Sequence, residues 1–188
     1  MNKQKFRASF TVLNYWSKGQ IDNAIKAYFK MDQYISREMA EGKNIHKEFE
    51  LYINNNKKLP KEIGGKKLLK PQCEFKLVSE LFDWCDLVGV IDCLDIQTIY
   101  EFKTGLSSSG AYIDTYQIGI YAVLLLLNDI KTTRGVVYSF NQYSKKYDVS
   151  MIYITDKLVK DSLNWIETNA GEMHTYLIDN DLYKKLKK

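Results

Sequence analysis

Three charged side chains lie in a stretch of the sequence that is otherwise typical of buried β-strands. The stretch 87-LVGVIDCLDIQTIYEFKTG-105 contains two apolar runs with a short polar junction between them, a pattern that indicates an antiparallel hairpin. A loop of two or four residues would pair positions whose numbers add up to 193, so that Asp92 would face Glu101. Lys103 would lie on the same face as Glu101, because side chains alternate along a strand.

The chemistry of this cluster depends on what lies between the two acids. Carboxylates that face each other across a hairpin are about 5 Å apart and repel each other, unless a proton or a cation separates them. A divalent metal ion is the simplest solution, and a cross-strand ion pair between Asp92 and Lys103 is the structural alternative. A loop of odd length would place the two acids on opposite faces of the sheet.

Two predicted helices carry further polar side chains. Gln117 and Tyr121 are four residues apart on the helix after the hairpin and therefore share one face. His46 lies on the apolar stripe of an earlier helix, where a buried core histidine is the commoner interpretation. Further acids are present, and for each of them a solvated surface position is favoured. They are Glu50, Glu74 and Glu80.

Four short motifs, taken in order, resemble the PD-(D/E)xK nuclease superfamily and most closely its RecB-type branch. The motifs are G-x-x-x-H from Gly42 to His46, G-V-I-D from Gly89 to Asp92, E-F-K from Glu101 to Lys103, and Q-x-x-x-Y from Gln117 to Tyr121. The resemblance covers roughly residues 35–155. Ile91 stands where the superfamily name has proline, and the four cysteines of the iron–sulfur members of the branch are missing.

The resemblance implies a metal-dependent DNA nuclease without an iron–sulfur cluster. The implied ligands of Mg²⁺ or Mn²⁺ are His46, Asp92, Glu101 and the backbone carbonyl of Phe102. Lys103 would orient or deprotonate the attacking water, and Gln117 and Tyr121 would support the lysine and contact DNA near the scissile phosphate.

Several aspects of the implied function stay open at this point. Single strands or DNA ends would be the preferred substrate, and a larger recombination or replication complex is a further implied partner. The alternative function is a catalytically inactive subunit of the same fold that binds nucleic acid or assembles a complex.

The resemblance also implies an α/β fold, a restriction-endonuclease-like core in which helices flank a central mixed β-sheet after N-terminal helices. We expect one domain over 1–188, with a basic helical part at 1–72, the catalytic core at 73–155 and a closing helix at 156–188. The periodicity predicts helices over 6–30, with a break near 17–20, and over 32–54, a surface loop over 55–71, strands over 73–82, 85–94 and 98–103, a helix over 111–128, strands over 134–142 and 147–155, and a helix over 156–180.

Composition limits the class of protein. With 188 residues, of which 45% are hydrophobic, the chain can bury one substantial core. The three cysteines, without a C-x-x-C pair, argue against a disulfide framework and indicate a reducing, cytoplasmic setting, with a phage origin among the alternatives. The longest apolar run, 118-IGIYAVLLLL-127, is about half of the ~20 residues that a membrane span needs, so no membrane is expected as a partner.

Charge is distributed unevenly along the chain, whose net charge is +4. Residues 1–72 hold 15 Lys and Arg against 7 Asp and Glu, whereas residues 73–188 hold 12 against 16. A basic part beside an acidic catalytic part would suit a polyanion that is attracted generally and bound locally through metal. An ordinary solvated lysine surface is the alternative interpretation.

Overall fold

Helices and a mixed sheet alternate along the chain in the computed structural model, which describes residues 5–31, 37–104, 115–141 and 143–185, without the side chains of residues 37–39. The helices are α1 (Phe10–Ser17), α2 (Ile21–Tyr28), α3 (Arg37–Asn56), α4 (Thr115–Leu126), α5 (Asp156–Asp179) and α6 (Leu182–Lys185). The strands are β1 (Phe6–Ala8), β2 (Pro71–Phe82), β3 (Cys85–Asp95), β4 (Thr98–Lys103), β5 (Arg134–Asn141) and β6 (Lys146–Tyr153). The expected α/β class is confirmed.

Strand β3 lies at the centre of the six-stranded sheet and uses both of its edges. One edge pairs with β2 in an antiparallel ladder along nearly its whole length. The other edge pairs with β1 in parallel at Cys85–Leu87 and with β4 at Cys93–Asp95. Because β1 and β4 share one edge of β3, residues 88–92 between them lie where the sheet opens. Strand β4 then pairs in parallel with β5, which pairs with β6.

Each face of the sheet is covered by a separate apolar cluster. The α3 cluster joins Phe49 and Ile53 of α3 to sheet residues such as Cys93, Tyr100 and Phe102. The α4 cluster lies on the opposite face and joins α4 to the strands. Its buried members are Ile91, Leu94, Ile99, Ile118, Tyr121, Leu125 and Val137. Helix α5 packs behind α4 and beside α1. None of the helices in the described ranges is both long and apolar enough to cross a membrane.

Most predicted elements are present within a few residues of their expected bounds, with two corrections. Residues 6–8 form strand β1 rather than the start of a helix, and Phe6 and Ala8 are fully buried against the centre of the sheet. The segment 55–71, expected to be a surface loop, contains a 3₁₀ turn at Lys61–Ile63 and buries apolar side chains under α3. These buried side chains are Leu59, Ile63 and Leu68. The expected turn at 104–110 and the helix start at 111–114 lie almost wholly outside the described residues.

Candidate active site

The β3–β4 hairpin has the register that counting along the sequence predicts. The pairs are Cys93 with Tyr100, Leu94 with Ile99, and Asp95 with Thr98. Ile96 in the two-residue turn has a φ of 53°, the left-handed conformation that such turns favour. The ladder ends at Cys93 and Tyr100, so the two strands separate where Asp92 and Glu101 would form the next pair. The two acids therefore lie at a fork in the sheet.

Asp92 bridges the fork with its side chain. Its Oδ2 accepts a hydrogen bond from the backbone N–H of Phe102 at 2.7 Å, and its Oδ1 lies 3.5 Å from Nδ1 of His46. The side chain is only 13% exposed. Asp92 thus links β3, β4 and α3 at one point, and Lys103 pairs with Glu101 rather than with Asp92.

Glu101, Lys103 and Gln117 form one hydrogen-bonded group with Tyr121. Lys103 Nζ donates to Oε1 of Glu101 at 2.8 Å and also to Oε1 of Gln117. Gln117 Nε2 donates to the same Glu101 oxygen at 2.5 Å and to the Tyr121 hydroxyl at 3.0 Å. The other Glu101 oxygen, Oε2, is buried without a hydrogen-bond partner among the described residues. One oxygen of this carboxylate is therefore anchored and the other is unsatisfied.

Glu101 is the site residue whose negative charge is disfavoured by its surroundings. Burial, together with the Asp92 carboxylate, raises the pKa of Glu101 to about 7, although Lys103 opposes both effects. Burial also raises the pKa of the Tyr121 hydroxyl, so that it stays protonated. A buried carboxylate oxygen without a partner, next to a second carboxylate, is stabilised by a cation.

Helix α3 brings His46 to the fork. The Thr104 hydroxyl at the end of β4 donates a hydrogen bond of 3.0 Å to the carbonyl of Gly42, one helical turn before His46. Burial lowers the pKa of His46, but the carboxylates of Asp92 and Glu101 outweigh this effect and raise it above 6.5. The G-x-x-x-H motif therefore supplies both the docking point of the helix and the imidazole. The contribution of Thr104 had no signal in the sequence.

Glu74, for which the sequence favours a surface position, also lies at the site. One ligand atom from each of His46, Glu74 and Asp92 lies within 4.8 Å of the other two. Glu74 and Glu80 lie in the same alternating strand, so the sequence pattern does not distinguish them. In the structure, Glu80 forms an ion pair with Lys5. The pairing of β2 with β3 distinguishes the two acids, and a register shift between Glu80 and Phe82 defeats a simple count of that pairing from the turn.

A basic cavity adjoins the site. Its volume is about 490 Å³, and Tyr121 lies in its wall together with Gly89 of β3. Arg7, Lys30 and Lys76 also line the cavity, and its lining residues include no acid. Arg7 and Lys30 belong to the basic N-terminal part of the chain. The cavity can therefore accept a negatively charged group beside the Q-x-x-x-Y helix.

The structure brings the predicted site residues into two adjoining groups at the fork, Asp92 with His46, and Glu101 with Lys103, Gln117 and Tyr121. The ligand atoms that lie within 4.8 Å of one another come from His46, Glu74 and Asp92 and not from Glu101. Carboxylates and an imidazole, with an unsatisfied buried oxygen on Glu101, nevertheless have the chemistry that suits a divalent cation such as Mg²⁺ or Mn²⁺. Phe102 is seen to donate its N–H to Asp92, whereas a ligand role for its carbonyl stays a prediction. The roles of all these residues in catalysis stay predictions as well.

Comparisons with known proteins find no matching protein family and no matching curated protein. Solved structures, in contrast, share the fold. A protein from Eubacterium rectale whose assignment as an exonuclease is itself provisional has a TM-score of 0.62 at 14% identity, over 96% of this chain and 83% of that one. The alkaline exonuclease LHK-Exo from Laribacter hongkongensis has a TM-score of 0.58 at 10% identity, over 97% and 94%. LHK-Exo in complex with dAMP gives 0.57 at 12% identity, over 95% and 92%. The chain therefore shares the restriction-endonuclease-like fold of these structures.

Proposed function

We propose that this chain is a metal-dependent deoxyribonuclease that hydrolyses phosphodiester bonds, with single-stranded DNA or DNA ends as its substrate. The observation that carries the proposal is the Glu101 carboxylate, of which one oxygen is anchored by Lys103 and Gln117 and the other is buried and unpartnered. The fold agrees with this function, because it is shared with structures of exonucleases.

The metal ion would be held by His46, Asp92, Glu101 and the carbonyl of Phe102. When bound, Mg²⁺ or Mn²⁺ would neutralise charge on the phosphate and increase the acidity of water. Two carboxylates suit either ion, and the imidazole favours Mn²⁺, which accepts nitrogen more readily than Mg²⁺ does.

The other side chains position and balance the charge of the site. Lys103 is fixed between Glu101 and Gln117, so its ammonium group lies beside the acids and can orient water or counter negative charge on a phosphate. Gln117 cannot rotate freely, because its Nε2 is bonded to both Glu101 and Tyr121. Tyr121 would act through Gln117, and because it also borders the basic cavity, it would lie between the acids and a strand bound there.

DNA as the substrate is supported by charge and by one of the likenesses. Arg7, Lys30 and Lys76 line the cavity next to Tyr121, and a phosphate group is the natural ligand of such a surface. LHK-Exo, which shares the fold, has been solved in complex with dAMP. The preference for single strands or ends comes from the RecB-type resemblance.

The proposal is tested by incubating the protein with labelled DNA and with an RNA of the same sequence. Linear and circular single strands and linear and circular duplexes should each be tried with Mg²⁺, with Mn²⁺ and with EDTA. We expect cleavage of linear single-stranded DNA in Mn²⁺, slower cleavage in Mg²⁺, much slower loss of the circular single strand, and no cleavage in EDTA.

Each other outcome assigns a different function. Equal rates on linear and circular single strands would make the protein an endonuclease. DNA binding without cleavage in either metal would contradict the proposal and support the inactive binding subunit instead. Faster cleavage of RNA than of DNA would overturn the choice of substrate.

A further inference from the structure

Strand β2 has an irregularity at Glu74 that lies directly beside Asp92. The ladder between β2 and β3 pairs Cys73 with Cys93 and Phe75 with Ile91 but has no pair at Glu74 and Asp92. Glu74 has a φ of 49°. The other non-glycine residues with positive φ in the described ranges lie in turns or just after helices, whereas Glu74 lies inside a strand. No turn accounts for its conformation.

At this irregularity, the side chains of both strands change from one face of the sheet to the other. Cys73 and Cys93 pack in the α3 cluster, but Phe75 and Ile91, two residues away on each strand, pack in the α4 cluster. Residues two apart on a regular strand would share a face. Left-handed backbone at a non-glycine residue is sterically unfavourable, and such strain is concentrated at functional sites. The conformation of Glu74 therefore needs a compensating role.

A structural ion pair does not provide that role. Among the residues that the structure describes, no hydrogen bond or ion pair to the Glu74 carboxylate is present. Asp92 and His46 instead lie close to Glu74, because each has a ligand atom within 4.8 Å of a carboxylate oxygen of Glu74. The Glu74 carboxylate thus lies next to a second acid and an imidazole.

We propose that Glu74 is a further metal-binding residue, which forms a cation position together with His46 and Asp92 on the α3 side of the fork. The inference rests on the proposed function, because it concerns the same site. Three elements contribute one donor each, α3 the imidazole and β2 and β3 the carboxylates, and this donor set is suited to Mn²⁺. The unpartnered Oε2 of Glu101 is an independent sign that the neighbouring fork takes a cation.

Mn²⁺ affinity tests the proposal without any measurement of activity. The free Mn²⁺ concentration should be followed by electron paramagnetic resonance during titration of the wild type, Glu74→Gln and the matched control Glu50→Gln. The control removes the same charge from a neighbouring acid that is not in the group of three. We expect Glu74→Gln to weaken binding at least ~10-fold, the scale for disturbing a metal site, and Glu50→Gln to change it by less than ~2-fold. Equal affinities for wild type and Glu74→Gln would overturn the proposal, as would equal losses in the two variants.

A second variant separates binding from a structural role. Glycine tolerates positive φ, so Glu74→Gly keeps the backbone conformation and removes the carboxylate. We expect the metal-free protein to melt about 2–4 °C higher, and the rise in melting temperature on adding Mn²⁺ to shrink. A rise in melting temperature on adding Mn²⁺ that is as large as in the wild type would mean that Glu74 does not hold the metal, and the proposal would be wrong.

These results also separate this inference from the proposed function. If DNA is not cleaved but Glu74→Gln weakens Mn²⁺ binding, the nuclease proposal fails and the metal role of Glu74 stands. If DNA is cleaved in Mn²⁺ and Glu74→Gln binds Mn²⁺ like the wild type, the role of Glu74 fails alone. Absence of Mn²⁺ binding to the wild type would overturn both.

Discussion

Glu101 is the most buried acid of the candidate site, with 5% of its surface exposed. Its burial has a cost because a carboxylate loses its hydration inside a protein. Lys103 and Gln117 offset part of this cost by donating hydrogen bonds to Oε1, but no described residue donates a hydrogen bond to Oε2. At the scale of single residues, the metal-free site is therefore partly protonated near neutral pH, and its stability should depend on pH.

We predict that the metal-free protein loses stability as the pH rises from about 4.5 to about 7. The folded-state pKa of Glu101 is raised from 4.5 to about 7, so the folded protein binds this proton more tightly than the unfolded chain does. The stabilisation is present below pH 4.5 and is lost by pH 7, for a total of ~3 kcal/mol. His46 acts in the same direction. Its pKa is raised in the folded protein, so its protonated form also stabilises the fold, and this stabilisation is lost as the pH rises through the pKa of His46.

The measurement is chemical denaturation in EDTA at pH 5 and at pH 8. Other acids titrate as well, so the wild type must be compared with Glu101→Gln, which mimics the protonated carboxyl. The advantage of the variant over the wild type should be larger at pH 8 than at pH 5. A constant difference between the two proteins would show that Glu101 does not titrate in this range.

At the scale of elements, close packing of α4 on β3 positions the Gln117–Tyr121 face. Gly89 makes this packing possible, because a Cβ built there would lie 3.0 Å from Cδ2 of Leu124 and 3.2 Å from Cε1 of Tyr121. Such distances are tighter than ordinary contacts, and the side chains on α4 would have to move. The glycine of the G-V-I-D motif therefore serves the helix rather than the metal.

We predict that Gly89→Ala lowers nuclease activity at least ~10-fold with a loss of stability of only about 1–3 kcal/mol, the range for overpacking. The added methyl group displaces the Tyr121 ring, and the displacement reaches Lys103 through Gln117. The matched control is Gly171→Ala in α5, where the nearest atom of Trp84 is 4.0 Å from the built Cβ. The control should gain stability of up to ~1 kcal/mol, since alanine is the better helix former, and keep full activity.

Single-turnover cleavage rates and thermal melts distinguish these effects. Parallel losses of activity and stability in Gly89→Ala would indicate general unfolding. Unchanged activity would show that the position of Tyr121 is not coupled to the chemistry.

The strand pairings differ in how well local sequence patterns predict them. Local patterns were sufficient for the β3–β4 hairpin, since alternation and loop length determine which residues face each other, and the observed register confirms the count to 193. They were insufficient for β1, because its three residues pair in parallel with a strand almost eighty positions later. Glu74 was missed for a different reason, because the β2–β3 hairpin is local but neither its register shift between Glu80 and Phe82 nor the left-handed backbone at Glu74 has a signal in the sequence.

Charge operates at the scale of the whole molecule. The sequence predicts a basic N-terminal part, and the structure places two of its side chains, Arg7 and Lys30, in the wall of a cavity together with Lys76 of β2. The cavity adjoins Tyr121 and has no acid in its lining. A strand of DNA that reaches the acids at the fork could therefore be held by its phosphates at this cavity.

We predict that replacing Arg7, Lys30 and Lys76 together by Gln reduces the salt dependence of binding to single-stranded DNA. Each lost phosphate contact removes about 0.7 from the slope of log K against log salt, so the triple variant should lose about 2. Binding should be measured by fluorescence anisotropy in EDTA, which prevents cleavage. The matched control replaces Lys160, Lys184 and Lys185 in the C-terminal helices. An equal loss in the control would mean that only net charge matters.

We propose that Asp92, Glu101 and Lys103 form a metal-dependent nuclease site, and the decisive measurement is the single-turnover cleavage rate of Asp92→Asn. The substrate is a labelled linear single-stranded DNA in saturating Mn²⁺, and a thermal melt confirms that the variant is folded. Removing a metal ligand should cost several kcal/mol of transition-state stabilisation, so we predict a rate at least ~10³-fold below that of the wild type. A folded Asp92→Asn variant that cleaves within ~10-fold of the wild-type rate would contradict the assignment of this site.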